Sequence, residues 1–148
     1  MTDIELIPAE PSDEPFLREL HMATMRPLVE QVWGWDDAVQ EGFFRQHVEA
    51  GGILIVKAGG VPVGSVQVHD EPGHTYLSQI EITPEHQGQG YGSQIIRLLQ
   101  EQARDRGVRV DLQVLKVNAA ALCLYQRLGF VITDETDIHH RMTWPPTH

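Results

Sequence analysis

The stretch Ile80–Ile96, IEITPEHQGQGYGSQII, decides the fold, because three glycines fall within five residues where apolar alternation gives way to helical spacing. These are Gly88, Gly90 and Gly92. Glycine loses more conformational freedom on folding than any other residue, so such density indicates a tight coil in which no Cβ is in the way. The first turn of a helix has unpaired N–H groups and a partial positive charge. We therefore predict that the backbone here approaches a phosphate closely.

Three glycine motifs compete for this stretch. A P-loop is excluded, because no lysine occurs between Lys57 and Lys116. A dinucleotide fingerprint requires G-x-G-x-x-G after the first strand of a parallel unit, whereas here G-x-G-x-G follows a run of hairpins. The third pattern is Gln-x-x-Gly-x-Gly, which Gln87, Gly90 and Gly92 fulfil. A protein that binds ATP through these glycines has little support without a lysine or a magnesium-binding pattern of acids.

Periodicity predicts strands and helices on both sides of the glycines. Gly59-Gly60 is a hairpin signal, so the strands around it form an antiparallel meander. A helix over Tyr91–Arg106, ended by Gly107, joins two strands that we expect to be parallel. The predicted strands are Ile4–Pro8, Ile53–Ala58, Val61–His69, Tyr76–Ile82, Arg109–Leu115, Phe130–Thr133 and His139–Trp144.

The other predicted helices depend on caps and breakers. We expect Ser12 to cap the first helix and Pro27 to break or bend it. Asp36 or Asp37 can cap a second helix, and Asn118 a helix that runs to about Leu128. The expected buried face of the second helix contains Val39, Phe43, Phe44, and His47 or Val48.

Composition limits the function classes. A chain of 148 residues with 41% hydrophobic residues suits one domain, 1–148, with its own core. Lys and Arg number 11 against 21 Asp and Glu, so the net charge of -10 excludes nucleic acid and membrane partners and weakly favours cationic ligands. The single cysteine, Cys123, cannot form an internal disulfide, which predicts a cytoplasmic protein.

Two motifs together resemble one family. The stretch ITPEHQGQGYGSQII is similar to the acyl-coenzyme A loop of the GNAT N-acetyltransferases. A second segment, NAAALCLYQRLGF at Asn118–Phe130, resembles the family's Asn…Leu-Tyr-x-x-x-Gly-Phe motif, and one helix and one strand fit between the two motifs. The clear resemblance covers Tyr76–Phe130. It implies an α+β fold with a mixed, mainly antiparallel central sheet of about seven strands, helices on both faces, and a split between the fourth and fifth strands.

The resemblance also implies an acetyl donor and its binding residues. The donor is acetyl-coenzyme A, with no metal involved. Main-chain amides from Gln87 through Ser93 would cradle its pyrophosphate, and the backbone of Ile82 would pair with the pantetheine arm. The implied coenzyme-binding residues are Ile80, Ile82, Gln87, Gly88, Gln89, Gly90, Tyr91, Gly92, Ser93, Asn118 and Tyr125.

Tyr125 matches the family's general acid. A phenol titrates near ~10 and a thiol near ~8.5, so a tyrosine is protonated at neutral pH and close to the departing thiolate in proton affinity. The alternative is a tyrosine packed against the sheet with its hydroxyl on a backbone carbonyl.

The general base is less well marked. Several GNAT members carry an acid or histidine on the strand that leads into the glycine stretch. Here the corresponding face holds Tyr76, Ser78, Ile80 and Ile82, with no such group. Glu81 points to the opposite face unless a bulge re-aims it. Our hypothesis is a water chain that touches Ser78, Tyr76 or Glu81, and the alternative for Glu81 is a carboxylate facing solvent or a helix.

The resemblance implies that the acceptor is an amine of a small molecule or peptide, and its binding residues are the next question. In VWGWDD, Val32–Asp37, two tryptophans stand beside two acids, a combination that suits a cation. Trp33, Trp35 and Tyr76 are our candidates, although both tryptophans can instead seal the edge of the core. Cys123 is expected to be a small buried residue, about 200° around the helix from Tyr125. The resemblance allows a homodimer, and a non-catalytic acyl-coenzyme A sensor is the rival function.

Overall fold

The structure is a computed structural model and describes residues 3–145. Within that range the chain forms seven strands and four α-helices, with short 3-10 turns before the first helix and after the fourth strand. The strands are β1 (Ile4–Pro8), β2 (Ile53–Ala58), β3 (Val61–Asp70), β4 (His74–Ile82), β5 (Arg109–Leu115), β6 (Val131–Glu135) and β7 (His139–Trp144). The helices are α1 (Glu14–Val32), α2 (Asp37–Ala50), α3 (Tyr91–Arg106) and α4 (Ala119–Arg127).

The strands make one sheet in the order β1-β2-β3-β4-β5-β7-β6. The pairs β1–β2, β2–β3, β5–β7 and β6–β7 are antiparallel, whereas β4 and β5 are parallel. The ladder of that parallel pair joins His74–Leu77 to Arg109–Leu112, and β4 continues beyond it to Ile82. The predicted mixed, mainly antiparallel α+β sheet is therefore confirmed, with its split after the fourth strand.

The chain divides into two compact units. The first contains residues 3–67 and 79–89, and the second contains residues 68–78 and 90–145. In the first unit, a hydrophobic cluster of Leu17, Phe44, Ile53 and Ile55 lies between the helices and β2. The prediction of a single domain over 1–148 stays a prediction, and residues 1–2 and 146–148 lie outside the described part of it.

The first helix begins differently from the prediction. A 3-10 turn, Pro11–Asp13, precedes it, and the main-chain N–H of Glu10 donates to Asp13 Oδ2 at 2.8 Å in a capping box. The expected Ser12 cap is wrong, because Ser12 lies inside that turn. The helix also continues through Pro27 to Val32, so the expected break is wrong. Val29 beyond the proline is buried, and its burial offsets the hydrogen bond that the proline ring removes.

The second helix is capped as predicted but buries a different face. Asp36 accepts a hydrogen bond from the N–H of Val39 at 3.0 Å. Phe44 is fully buried, as expected, whereas Val39 and Phe43 are each more than half exposed, which contradicts the prediction. The face that packs inward carries Gln40, Phe44 and the half-buried His47, at helical spacing. Gln40 is buried on this face of the helix, where the sequence pattern favoured Val39 and Phe43.

The second unit follows its sequence pattern closely. In α3, Ile95, Ile96, Leu99 and Ala103 are all buried, and Gly107 ends the helix in the left-handed conformation at a φ of 72°. The α4 helix begins after Asn118, whose side chain accepts from the N–H of Ala121 at 3.2 Å. None of the helices within residues 3–145 combines the length and apolar character that a membrane crossing needs.

Candidate functional site

The segment Gln87–Ser93, here called the glycine loop, leads from β4 into α3. Gly88 and Gly90 have φ angles of 76° and 85°, in the region that residues with a Cβ rarely adopt. A Cβ built on either glycine would meet no atom within 4 Å. The two glycines are therefore required by backbone conformation, and the space in front of the loop is open.

Main-chain donors of the loop remain available. No described residue accepts a hydrogen bond from the N–H of Gly88, Gly90 or Gly92. The side-chain amides instead brace the loop: Gln87 donates to the carbonyl of Ile82 at 3.0 Å, and Gln89 donates to that of Glu85 at 3.1 Å. A braced coil with free N–H groups at a helix N-terminus is suited to hold an anionic group.

Gly92 has a second role that the sequence did not reveal. It lies in the first turn of α3, and a Cβ there would stand 3.2 Å from Leu124 Cδ2 of α4. That distance is tighter than ordinary van der Waals contact. Gly92 therefore lets α3 and α4 pack closely, whereas the other two glycines serve the loop conformation.

Glu81 near the end of β4 is buried against α1, with 4% of its surface exposed. Its Oε2 lies 2.6 Å from Thr24 Oγ1 and 3.2 Å from His21 Nδ1. A Cβ on Gly64 of β3 would come within 2.2 Å of the Glu81 carbonyl oxygen, so the backbone there is fixed from the other side. The carboxylate of Glu81 therefore faces a helix and not solvent. Ser78 on the same strand is exposed.

Two further side chains extend this group into a buried polar cluster of His21, Thr24, His47, Gln67 and Glu81. Gln67 Nε2 donates to the carbonyls of His47 and Gly51 at 2.7 and 2.8 Å. Because both amide protons are used, Gln67 Oε1 accepts from His47 Nδ1 at 2.9 Å, which assigns the proton to Nδ1. Burial lowers the pKa of His47. The rings of His21 and His47 stack with centroids 5.7 Å apart.

Tyr125 lies on α4 with 5% of its surface exposed. Its ring packs against Phe130 at a centroid distance of 5.7 Å, and burial raises the pKa of its phenol. Among residues 3–145, none forms a hydrogen bond with its hydroxyl, so the expected alternative of a bond to a backbone carbonyl does not hold. Cys123 on the same helix is exposed, which contradicts its expected burial and follows from its position away from Tyr125.

The acceptor candidates differ in how they are held. Trp35 donates from Nε1 to Asp37 Oδ1 at 2.7 Å, and the guanidinium of Arg26 lies 5.0 Å from the centre of its ring. Its face is therefore already covered by a cation of the chain itself. Trp33 is 60% exposed. Tyr76 is half-buried, and burial raises the pKa of its phenol.

Metal-binding groups were sought across the same part of the chain. Within residues 3–145 no three His, Cys, Asp or Glu side chains stand close enough together to hold a metal ion.

Comparison with known proteins gives the context for this geometry. The sequence profile of the Acetyltransferase (GNAT) family matches residues 15–130. The uncharacterized N-acetyltransferase YobR of Bacillus subtilis is 44% identical over 79 residues, which is 53% of this chain and 30% of YobR. The L-amino acid N-acyltransferase MnaT of Escherichia coli is 33% identical over 87 residues, 55% of this chain and 51% of MnaT. The matched segments thus span about half or less of these relatives.

A solved structure reproduces the fold. The PaiA N-acetyltransferase of Thermoplasma acidophilum, crystallised in complex with coenzyme A, superposes with a TM-score of 0.77 over 95% of this chain and 98% of that protein. The two sequences are 15% identical, so this likeness concerns the fold alone.

Proposed function

Because the chain belongs to the GNAT family of acetyltransferases, we propose that it transfers an acetyl group from acetyl-coenzyme A to an amino group of a small molecule or peptide. The observation that carries this proposal is the glycine loop. Its left-handed Gly88 and Gly90 face open space, and the N–H groups of Gly88, Gly90 and Gly92 have no partner within the described chain. The amino acid acceptor in the name of MnaT and the coenzyme A bound to PaiA agree with both halves of the reaction.

The coenzyme would be held mainly by backbone. The amides from Gln87 through Ser93, at the positive end of the α3 dipole, would bind its pyrophosphate. The backbones of Ile80 and Ile82 would pair with the pantetheine arm. Since the chain carries a net charge of -10, which repels a polyanion, this local dipole has to supply the attraction.

The reaction would be a direct attack in a ternary complex, with the thioester supplying the activated acyl group. The amine nitrogen forms a bond to the carbonyl carbon, and the carbon–sulfur bond breaks. Tyr125 would return a proton to the sulfur. Its hydroxyl has no hydrogen-bond partner within residues 3–145 and is protonated at neutral pH, and the raised pKa makes it a weaker acid than an exposed tyrosine.

The amine arrives protonated and must lose a proton before it attacks. Glu81 is our candidate to receive it through water, because the carboxylate is too buried to meet an acceptor directly. Ser78, exposed on the opposite face of the same strand, is the alternative contact for a water on its own side of β4. Trp33, exposed at the end of α1, is the stronger of our two tryptophan candidates for acceptor contact, since Trp35 is engaged within the chain. A cytoplasmic location and a homodimer stay predictions.

The first test is thiol release from acetyl-coenzyme A over a panel of amino acids, diamines and peptide N-termini. We expect turnover with at least one class and none without an amine. A non-catalytic acyl-coenzyme A sensor is the second candidate, favoured by the lack of a carboxylate on the Ser78 face of β4. Coenzyme binding by calorimetry with no turnover on any amine would select it.

The second test is Tyr125→Phe. We expect kcat to fall by about 100-fold while the KM for acetyl-coenzyme A changes less than about twofold, as for the loss of a general acid. Cys123→Ser, exposed on the same helix, is the matched control and should behave as the unchanged protein. Turnover of Tyr125→Phe equal to that of the control would remove the assignment.

A further inference from the structure

His21 has a buried imidazole, and neither ring nitrogen makes a hydrogen bond within the described chain. It lies on α1 with 5% of its surface exposed. Its Nε2 is buried without a partner within the described chain, and its Nδ1 lies 3.2 Å from Glu81 Oε2, within ion-pair distance but out of line for a hydrogen bond. Buried polar groups without partners are uncommon and costly, so this arrangement requires an explanation.

Thr24 restricts where the protons of this group can be. Its Oγ1 lies 2.6 Å from Glu81 Oε2 and 2.9 Å from the carbonyl of Leu20, but a hydroxyl has only one proton to donate. If Thr24 donates to Leu20, Glu81 is the donor to Thr24 and carries a proton. If Thr24 donates to Glu81, the carboxylate is ionised and needs a positive neighbour to offset its burial. The two patterns differ by one proton, which His21 can take.

The other charged and titratable groups around the pair do not serve this purpose. His47 of α2 is fixed as an Nδ1–H donor to Gln67, and burial lowers its pKa, so it stays neutral. Arg18 of α1 lies over the ring of Phe44 and is bound to Glu14 and Glu41. On the β3 side, Gly64 offers no side chain. Among the described residues, His21 is therefore the group beside Glu81 that can carry a compensating positive charge.

We propose that His21 is a positioning residue for Glu81, and that the two buried side chains form an ion pair in which the imidazole is protonated and the carboxylate is ionised, with Nδ1 and Oε2 3.2 Å apart. The one proton of the pair then resides on the imidazole, and no other atom is gained or lost. The inference rests on the proposed function, in which Glu81 receives the proton of the acceptor amine. With His21 beside it, Glu81 is ionised and ready to receive that proton despite its burial.

The pH dependence of kcat/KM tests the proposal in the active protein. In His21→Asn, which cannot take up a proton, we expect the acidic limb of the profile to move to higher pH by about one unit or more. His47→Gln is the matched control, because it removes the stacked imidazole of the same cluster without removing a contact to Glu81. An unmoved limb in His21→Asn, or an equal shift in the control, overturns the proposal.

A second measurement does not need turnover. The ring nitrogens of His21 can be followed by NMR against pH in the protein without substrates, unchanged and as Glu81→Gln. At neutral pH we expect the ring-nitrogen signals to be those of a doubly protonated imidazole in the unchanged protein and of a neutral imidazole in the variant, since the negative partner is gone. Identical signals in both proteins contradict the proposal, even if His21→Asn fails to fold. A difference between the two proteins without any acetyl transfer would preserve the ion pair and reject the proposed function.

Discussion

The glycine loop and the buried polar cluster differ in whether their polar groups are paired within the protein. The loop is one continuous segment in which the N–H groups of Gly88, Gly90 and Gly92 have no partner among residues 3–145 and stand in front of open space. The cluster gathers side chains from α1, α2, β3 and β4, with His21, Gln67 and Glu81 buried and Thr24 and His47 half-buried. We therefore expect substitutions in the glycine loop to affect ligand binding more than stability. Substitutions in the buried polar cluster should affect stability more than ligand binding. Substitutions in each region can break this contrast.

The largest expected effect is on folding, from Gly64→Ala. A Cβ there would come within 2.2 Å of the Glu81 carbonyl oxygen, and a strand backbone cannot move aside as a side-chain tip can. We expect the free energy of unfolding to fall by about 3 kcal/mol or more, measured by urea denaturation.

Gly42→Ala in α2 is the control for that substitution. No atom lies within 4 Å of a Cβ at Gly42, and alanine favours a helix over glycine by up to ~1 kcal/mol. The control should therefore be as stable as the unchanged protein or slightly more so. A loss in Gly64→Ala no greater than in Gly42→Ala would show that β3 and β4 are not held as tightly as their geometry indicates.

The next effect is on binding, from Gly90→Ala in the glycine loop. The left-handed φ of 85° costs a residue with a Cβ about 1–2 kcal/mol, and the added methyl group projects into the space in front of the loop. We expect calorimetry to show coenzyme A affinity lowered by about tenfold or more, equivalent to ~1.4 kcal/mol.

Gly60→Ala matches this change in strain but not in position. Gly60 has a φ of 81° in the β2–β3 hairpin, again with no atom within 4 Å of a Cβ. Both variants should lose similar stability, and Gly60→Ala should bind coenzyme A normally. Equal affinity in the two variants would mean that the glycine loop is only a turn.

The same contrast explains which features were predictable. The glycine loop is encoded by neighbours in sequence, so its glycines, the bounds of α3 and its buried face at Ile95, Ile96, Leu99 and Ala103 all followed from local rules. The helix-facing environment of Glu81 was one of two alternatives left open. His21 was not singled out, because its partner lies sixty positions away, and only the pairing of α1 with β4 brings them together.

The predictions for α1 and α2 were wrong because the outcome depended on contacts between elements that are distant in sequence. Local signals predicted a break or a bend at Pro27 and burial of Val39 and Phe43, but the helix continues without a break to Val32 and Gln40 is the buried residue. Gly92 is an intermediate case: its position was noted, yet its contact with Leu124 depends on α4. An apolar pattern reports which residues can be buried, whereas the partner element decides which of them are.

A smaller effect should separate the two tryptophans. Trp35 is held by Asp37 and covered by Arg26, so Trp35→Ala should lower the free energy of unfolding by about 1 kcal/mol. Trp33 is mostly exposed, and Trp33→Ala should change stability by less than about 0.5 kcal/mol while raising the KM of the acceptor amine. Stability loss confined to Trp33→Ala would reverse our assignment of the two residues.

The smallest effect is a change in pH dependence in His47→Gln. Burial lowers the pKa of His47 in the folded protein, so below its ordinary value near ~6.5 the unfolded chain binds more protons than the folded chain. This term destabilises the protein as pH falls from 7 towards 5. In His47→Gln the fall in unfolding free energy over that range should be shallower.

His139→Gln is a graded control, because burial lowers the pKa of His139 in the same direction but this side chain is less enclosed. A slope unaffected by His47→Gln would mean that the imidazole is protonated within the cluster, and the charge beside Glu81 would then belong to both histidines.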